Sequence, residues 1–176
     1  NTVDAHIQNI RALIPRSLMK ELLKQEKRQR PHSVSPSMSR KVVIPYKELR
    51  VLIAEDNIIN QKVLNRILNR LGIENVEIVG NGQQAIQMAA SRPFDFILMD
   101  MQMPVMDGLE ACKKIREREN VSHPKPTIIF VSAHAIRDFE DQCYEAGGYD
   151  FVSKPCSVRS IDQCFQRIYE KDATLF

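Results

Sequence analysis

No run of apolar residues in this chain approaches the ~18 that a membrane-spanning helix needs, and no basic, apolar and small-residue succession opens it as a secretory leader would. A soluble protein of the cytoplasm, or of another reducing compartment, is therefore expected. Cysteines are few and badly spaced for metal. Cys112, Cys143, Cys156 and Cys164 form no C-x-x-C pair and have no histidine at ligand spacing, which argues against a zinc site and for reduced, packing thiols. Positive charge is missing where a nucleic-acid-binding domain would carry it. The net charge is +3, but eleven Lys and Arg face four Asp and Glu up to Arg50, against fourteen and eighteen beyond it. The basic surplus belongs to the N-terminal stretch, so the main domain is not expected to bind nucleic acid directly.

What is present divides near residue 47. At 176 residues and 43% hydrophobic, the chain suffices for one domain of ordinary size and an appendage. Residues 1–47 form a basic arm. Val3, Ile7, Ile10 and Ile14, then Leu18, Leu22 and Leu23 behind Pro15, have helical spacing, which predicts two short amphipathic helices in residues 1–23. Helices this short do not persist alone in water, so their stripes need a surface. The main domain, a second copy, or sequence upstream would serve, the last left open by the lack of Met at position 1. A basic run at 24–30 and a Ser- and Pro-rich stretch at 31–40 predict a flexible linker. His6 and His32 have no identifiable partner there.

Residues 48–171 alternate strand and helix, leaving 172–176 as a tail. Strands are expected at 50–55, 75–79, 94–100, 127–132 and 149–153. The first helix should face inward through Ile59, Val63, Leu64, Ile67, Leu68 and Leu71 and end at Gly72. The second spans about 83–90. Asp107 caps a third that buries Leu109, Cys112 and Ile115 and points Lys113, Lys114 and Arg116 at solvent. A fourth carries Ile136, Phe139 and Cys143 and stops at Gly147 and Gly148, and the last packs through Val158, Ile161, Phe165 and Ile168. This pattern predicts an α/β fold, a flavodoxin-like (βα)5 doubly wound parallel sheet, with no internal repeat beyond the βα period. Phe96–Met99 and Thr127–Ser132 are apolar without alternation, as strands covered on both faces are. Glu77 interrupts the second strand, which fits an edge and the order 2-1-3-4-5.

Ligand chemistry in such sheets collects at the carboxyl ends of the strands. That rim holds Glu55 and Asp56 after strand one, Asp100 after strand three, Ser132 after strand four and Lys154 after strand five. Ala54-Glu55-Asp56-Asn57 puts acids where a nucleotide- or flavin-binding unit has its glycines, which counts against that function. Crowded carboxylates repel unless a hard divalent cation such as Mg2+ relieves them. With the metal bound, Asp100 can attack phosphorus as a nucleophile, Lys154 can neutralise the phosphoryl oxygens and Ser132 can donate to one of them.

Four motifs carry a resemblance over about residues 47–170. They are the E-D pair at 55–56, M-D-M-Q-M-P-V-M-D-G around Asp100, V-S-A at 131–133 and F-V-S-K-P at 151–155. Together they resemble the receiver domain of two-component response regulators. The resemblance implies that Asp100 accepts phosphate from a phosphohistidine and that Asp56, Asp100 and the Gln102 backbone carbonyl bind Mg2+, with Glu55 acting through a metal-bound water. It implies a cis Lys154–Pro155 bond and a switch pair of Ser132 and Phe151, with Ser for the more usual Thr and Phe for the frequent Tyr. Gln102 and His134, each two residues past a rim residue, are expected to flank the path of the hydrolytic water. The altered surface is implied to span about residues 135–169. Few residues follow the last helix, which points away from a fused DNA-binding output domain and toward the closing receiver of a hybrid histidine kinase. A stand-alone receiver is second. Histidine kinases and histidine phosphotransfer proteins are the implied partners, in the cytoplasm or on the cytoplasmic part of a membrane-bound kinase. The receiver itself would not be membrane-embedded, and a homodimer is left open. An interaction module without phosphoryl turnover stays the alternative.

Overall fold

The computed structural model describes residues 45–118, 124–133 and 140–171. The predicted N-terminal helices and linker, His6, His32, His134 and the tail at 172–176 lie outside the described residues, as do Ile136 and Phe139 of the predicted fourth helix. Among these residues five strands alternate with five helices: β1 (Arg50–Ala54), α1 (Ile58–Arg70), β2 (Asn75–Val79), α2 (Gly82–Ser91), β3 (Phe96–Asp100), α3 (Gly108–Glu117), β4 (Thr127–Ser132), α4 (Glu140–Glu145), β5 (Asp150–Ser153) and α5 (Val158–Lys171).

All four strand pairings are parallel and the order is β2-β1-β3-β4-β5, the order that the burial pattern fits and the resemblance implies. The side-chain period of two explains why the central strands are apolar throughout. Along β3, Phe96 and Leu98 join α1 and α5 in one core, while Ile97 and Met99 join α2, α3 and α4 in the other. Every residue of β3 and β4 is buried, whereas β2 keeps an exposed edge on which Glu77 pairs with Arg92. Asn57, Asn81 and Asp107 cap α1, α2 and α3 through their side chains. Gly72, at φ 85°, follows the C-cap of α1 in a conformation that other residues avoid.

Three expectations need correction. Ile59 and Val63 do not face the core: they are 71% and 42% exposed, and α1 buries Leu64, Ile67 and Leu68 instead. At 3.6 residues per turn, Ile59 and Val63 are centred about 110° around the helix from the arc of Leu64, Ile67 and Leu68, and only that second arc lies over the sheet. Arg116 is not a free surface residue either. It is half-buried, with Nε donating to the Gly147 carbonyl and Nη1 to the Pro126 carbonyl, each at 2.8 Å. Finally, Tyr46 packs as part of the domain although it was expected in the arm. From a 3-10 turn at Tyr46–Glu48 its ring meets Phe165 edge-on at 6.0 Å, and its hydroxyl donates to Asp162 at 2.8 Å and accepts from Gln166 at 3.1 Å.

Candidate functional site

Parallel pairing brings the ends of β1, β3, β4 and β5 to one rim, where Lys154 meets Asp100 across 54 positions of sequence. Asp100 is the last residue of β3 and Ser132 the last of β4, 6% and 5% exposed; Glu55, just past β1, is 1% exposed. Asp56 beside it opens to solvent. Lys154 follows β5, and its backbone N–H donates to the Ser132 carbonyl at 2.7 Å, which fixes where its side chain starts. Its ammonium then reaches across the rim. Nζ lies 2.7 Å from Asp100 Oδ2 and 2.7 Å from Glu55 Oε2. The Lys154–Pro155 peptide is cis.

The second oxygen of Asp100 accepts from the Gln102 backbone N–H at 3.2 Å, while the Gln102 side chain is exposed. Glu55 Oε1 accepts from the Asn57 N–H and from the Asn60 side-chain amide, but Oε2 receives no well-directed hydrogen bond, its contact with Lys154 being an ion pair. Ligand oxygens of Glu55, Asp56 and Asp100 come within 4.8 Å of one another. A set of hard oxygen donors, two of them buried and a third open to water, fits a small divalent cation that keeps part of its hydration, as Mg2+ does.

Burial raises the Asp100 carboxyl above the ordinary carboxylate range and the charge of Glu55 adds to this, against the opposing pull of Lys154 and the Gln102 N–H. Burial works against the Lys154 ammonium, but its hydrogen bonds and attraction to the two acids outweigh that and raise its pKa. The cup is an anionic cluster held by one cation.

The loop between Asp100 and α3 is pinned by three buried methionines, Met101, Met103 and Met106. Between them Val105 is 84% exposed at φ 70°, and the Met106 N–H donates to the Pro104 carbonyl to close a tight turn around it. A β-branched residue in that region costs about 1–3 kcal/mol. Phe151 on β5 is half-buried, its ring 6.4 Å from Tyr144 in an edge-to-face contact. Of the residues singled out in the sequence, Glu55, Asp56, Asp100, Ser132 and Lys154 share the rim. Sequence reasoning missed Asn57 and Asn60, which hold Glu55. Their signal was two asparagines two and five residues past an acid at a strand end.

Similarity to known proteins points the same way. The receiver domain of a sensor histidine kinase of Pseudomonas aeruginosa PAO1, whose crystal structure holds a magnesium ion coordinated in the active site cleft, is 34% identical, with a TM-score of 0.61 over 69% of this chain and 98% of that one. The receiver domain of the Saccharomyces cerevisiae response regulator Ssk1, in co-crystal with the histidine phosphotransfer protein Ypd1, is 26% identical with a TM-score of 0.63, covering 74% and 94%. Hybrid signal transduction histidine kinase H of Dictyostelium discoideum is 43% identical over 62% of this chain, and the histidine-protein kinase BarA of Escherichia coli K12 is 37% identical over 68%. The chain spans only about a tenth of the length of those two kinases, 8% and 13%. The profile of the response regulator receiver domain matches residues 51–166, the same span that folds into the sheet and builds the rim, and the chain belongs to that family.

Proposed function

We propose that the domain takes a phosphoryl group from a phosphohistidine onto Asp100 in a Mg2+-dependent reaction and passes the signal on through a switched surface. The observation that carries this is the single ammonium of Lys154 in contact with both Asp100 and Glu55. An Asp100 carboxylate oxygen attacks phosphorus, a P–O bond forms, and the P–N bond breaks with its electron pair returning to the imidazole. Lys154 moves from its carboxylate partners to the incoming phosphoryl oxygens, and the Ser132 hydroxyl donates to one of them. Asp56, Asp100 and the Gln102 carbonyl would hold Mg2+, with Glu55 acting through a metal-bound water, and the bound ion supplies the charge neutralisation that phosphoryl transfer demands. The exposed Gln102 side chain tunes the lifetime of the acyl phosphate, a role shared with His134.

The product adds about −1.5 to −2 charge at one spot, and a nearly complete switch needs about 5.5 kcal/mol of differential stabilisation. Ser132 and Phe151 are the switch pair in this reading, and α4, β5 and α5 the surface that answers. Acetyl phosphate with Mg2+ tests the chemistry by intact mass. The wild-type chain is expected to gain one phosphoryl group and Asp100→Asn none; no gain in either would leave a passive interaction module. Asp100→Asn has a second expected outcome. Because the Asp100 pKa is raised, the native state holds that proton longer than the unfolded state, and stability falls as pH rises through the native value. Metal-free Asp100→Asn should thus be more stable than wild type at neutral pH, read by urea unfolding.

Ile58, Ile59 and Val63 in the first turns of α1, which starts just after Glu55 and Asp56, and Val105 in the loop after Asp100 are exposed, and they would fit an apolar partner surface presenting the phosphohistidine. Ile59→Glu is expected to slow transfer from a histidine phosphotransfer protein about tenfold or more, a loss typical of one interface anchor, while leaving the acetyl phosphate reaction unchanged. Equal slowing of both reactions would refute the docking role. We place the domain, residues 45–171 with the arm and linker ahead of it, in a hybrid histidine kinase, supported by the hybrid kinase it resembles, and we assign it to the cytoplasm. Among the described residues no helix is long and apolar enough to cross a membrane.

A further inference from the structure

We propose that Asn60 is a positioning residue for the acceptor cup, its side-chain amide holding Glu55 so that one carboxylate oxygen is tied to α1 and the other is kept for the rim. The inference rests on the phosphoacceptor reading above. Asn60 Nδ2 donates to Glu55 Oε1 at 3.0 Å, and the Asn57 N–H donates to the same oxygen at 3.2 Å. Gln61 Nε2 binds the Glu55 backbone carbonyl at 2.7 Å. Asn57 Oδ1 in turn accepts from the N–H groups of Ile59 and Asn60, which anchors the first turn of α1. An ionised carboxylate only accepts, so the Asn60 amide has to present its nitrogen to it.

The need for this hold follows from the cup's charge. Glu has one more rotatable bond than Asp, and Lys154 is the cation between Glu55 and Asp100. With Oε1 released, Glu55 could turn both oxygens onto the ammonium and draw it away from Asp100. Asn60, with the Asn57 N–H beside it, opposes that without adding charge. It therefore keeps Lys154 shared between the two acids, with Glu55 Oε2 on the ammonium and the Glu55 carboxylate held within 4.8 Å of the other acids that would take the metal.

Calorimetric titration of the full chain with Mg2+ tests this in wild type, Asn60→Ala and Asn60→Leu, the last keeping the shape without the donor and without a new charge. Both variants are expected to bind Mg2+ about tenfold more weakly, with acetyl phosphate labelling of Asn60→Ala restored to about the wild-type rate when Mg2+ is saturating. Circular dichroism verifies the fold. Unaltered Mg2+ affinity in both variants, or a labelling defect in Asn60→Ala that excess Mg2+ does not relieve, overturns the positioning role. Absence of Mg2+ binding by the wild-type chain would overturn the phosphoacceptor reading itself, and this inference with it.

Discussion

Replacing Gly108 by alanine is expected to cost about 100-fold in the rate of Asp100 phosphorylation while the sheet stays folded, because the added methyl has nowhere to go but into the acceptor strand. A Cβ on Gly108 would lie 2.1 Å from the Asp100 carbonyl oxygen and 2.9 Å from Met99 Cγ. The first of these is backbone, so no side-chain rotation relieves it. Gly108 opens α3 and its N–H donates to the Met101 carbonyl at 3.0 Å, which ties the helix start directly to the end of β3. Relief requires shifting the strand end that carries the acceptor, at about 1–3 kcal/mol of overpacking. Acetyl phosphate labelling of Gly108→Ala against wild type, with urea unfolding alongside, separates the two effects. Labelling within a few-fold of wild type would show that the strand end yields without disturbing Asp100.

Lys154→Ala is expected to be damaging in both chemistry and stability. The carboxylates of Glu55 and Asp100 would remain largely buried with their shared cation gone, a loss of about 3 kcal/mol in the metal-free protein, toward the low end for a broken buried pair because Lys154 keeps 20% of its side chain exposed. Labelling should fall about 10²–10³-fold, the usual toll of removing one preorganised charge from a reacting centre. Divalent metal separates the two losses. Mg2+ can neutralise the acids in place of the ammonium and should narrow the stability gap through its preferential binding to the folded state, yet it does not replace the contact to the phosphoryl group. Urea unfolding with and without Mg2+ checks this, and an equal gap under both conditions would place the role of Lys154 outside the charge balance of the cup.

The strands and the rim were legible because both follow from local sequence. Phe96–Met99 and the apolar fourth strand declared two-sided burial, and acids, a hydroxyl and a lysine stood at the ends of strands whose shared direction followed from the βα alternation. Less local features were hidden. Ile59 and Val63 look like a helix core face by spacing, and only the rotation of α1 against the sheet decides that Leu64 and Leu68 turn inward instead. Arg116 reads as a surface cation until the Pro126 carbonyl at the start of β4 and the Gly147 carbonyl in the turn after α4 are brought beside it. The close fit of Gly108 on Asp100 depends on how a helix start returns to a strand end, and no periodicity records that.

The Tyr46 contacts bear on where this domain can be cut from a longer chain. Family similarity begins at Val51, but the ring that covers Phe165 and the hydroxyl that joins Asp162 to Gln166 belong to the residues before it. A fragment begun at the homology boundary would carry a bared aromatic patch on its closing helix, and one begun ahead of Pro45 would keep it covered. The portable unit, as a gene fusion would inherit it, is longer at its entrance than sequence matching alone suggests.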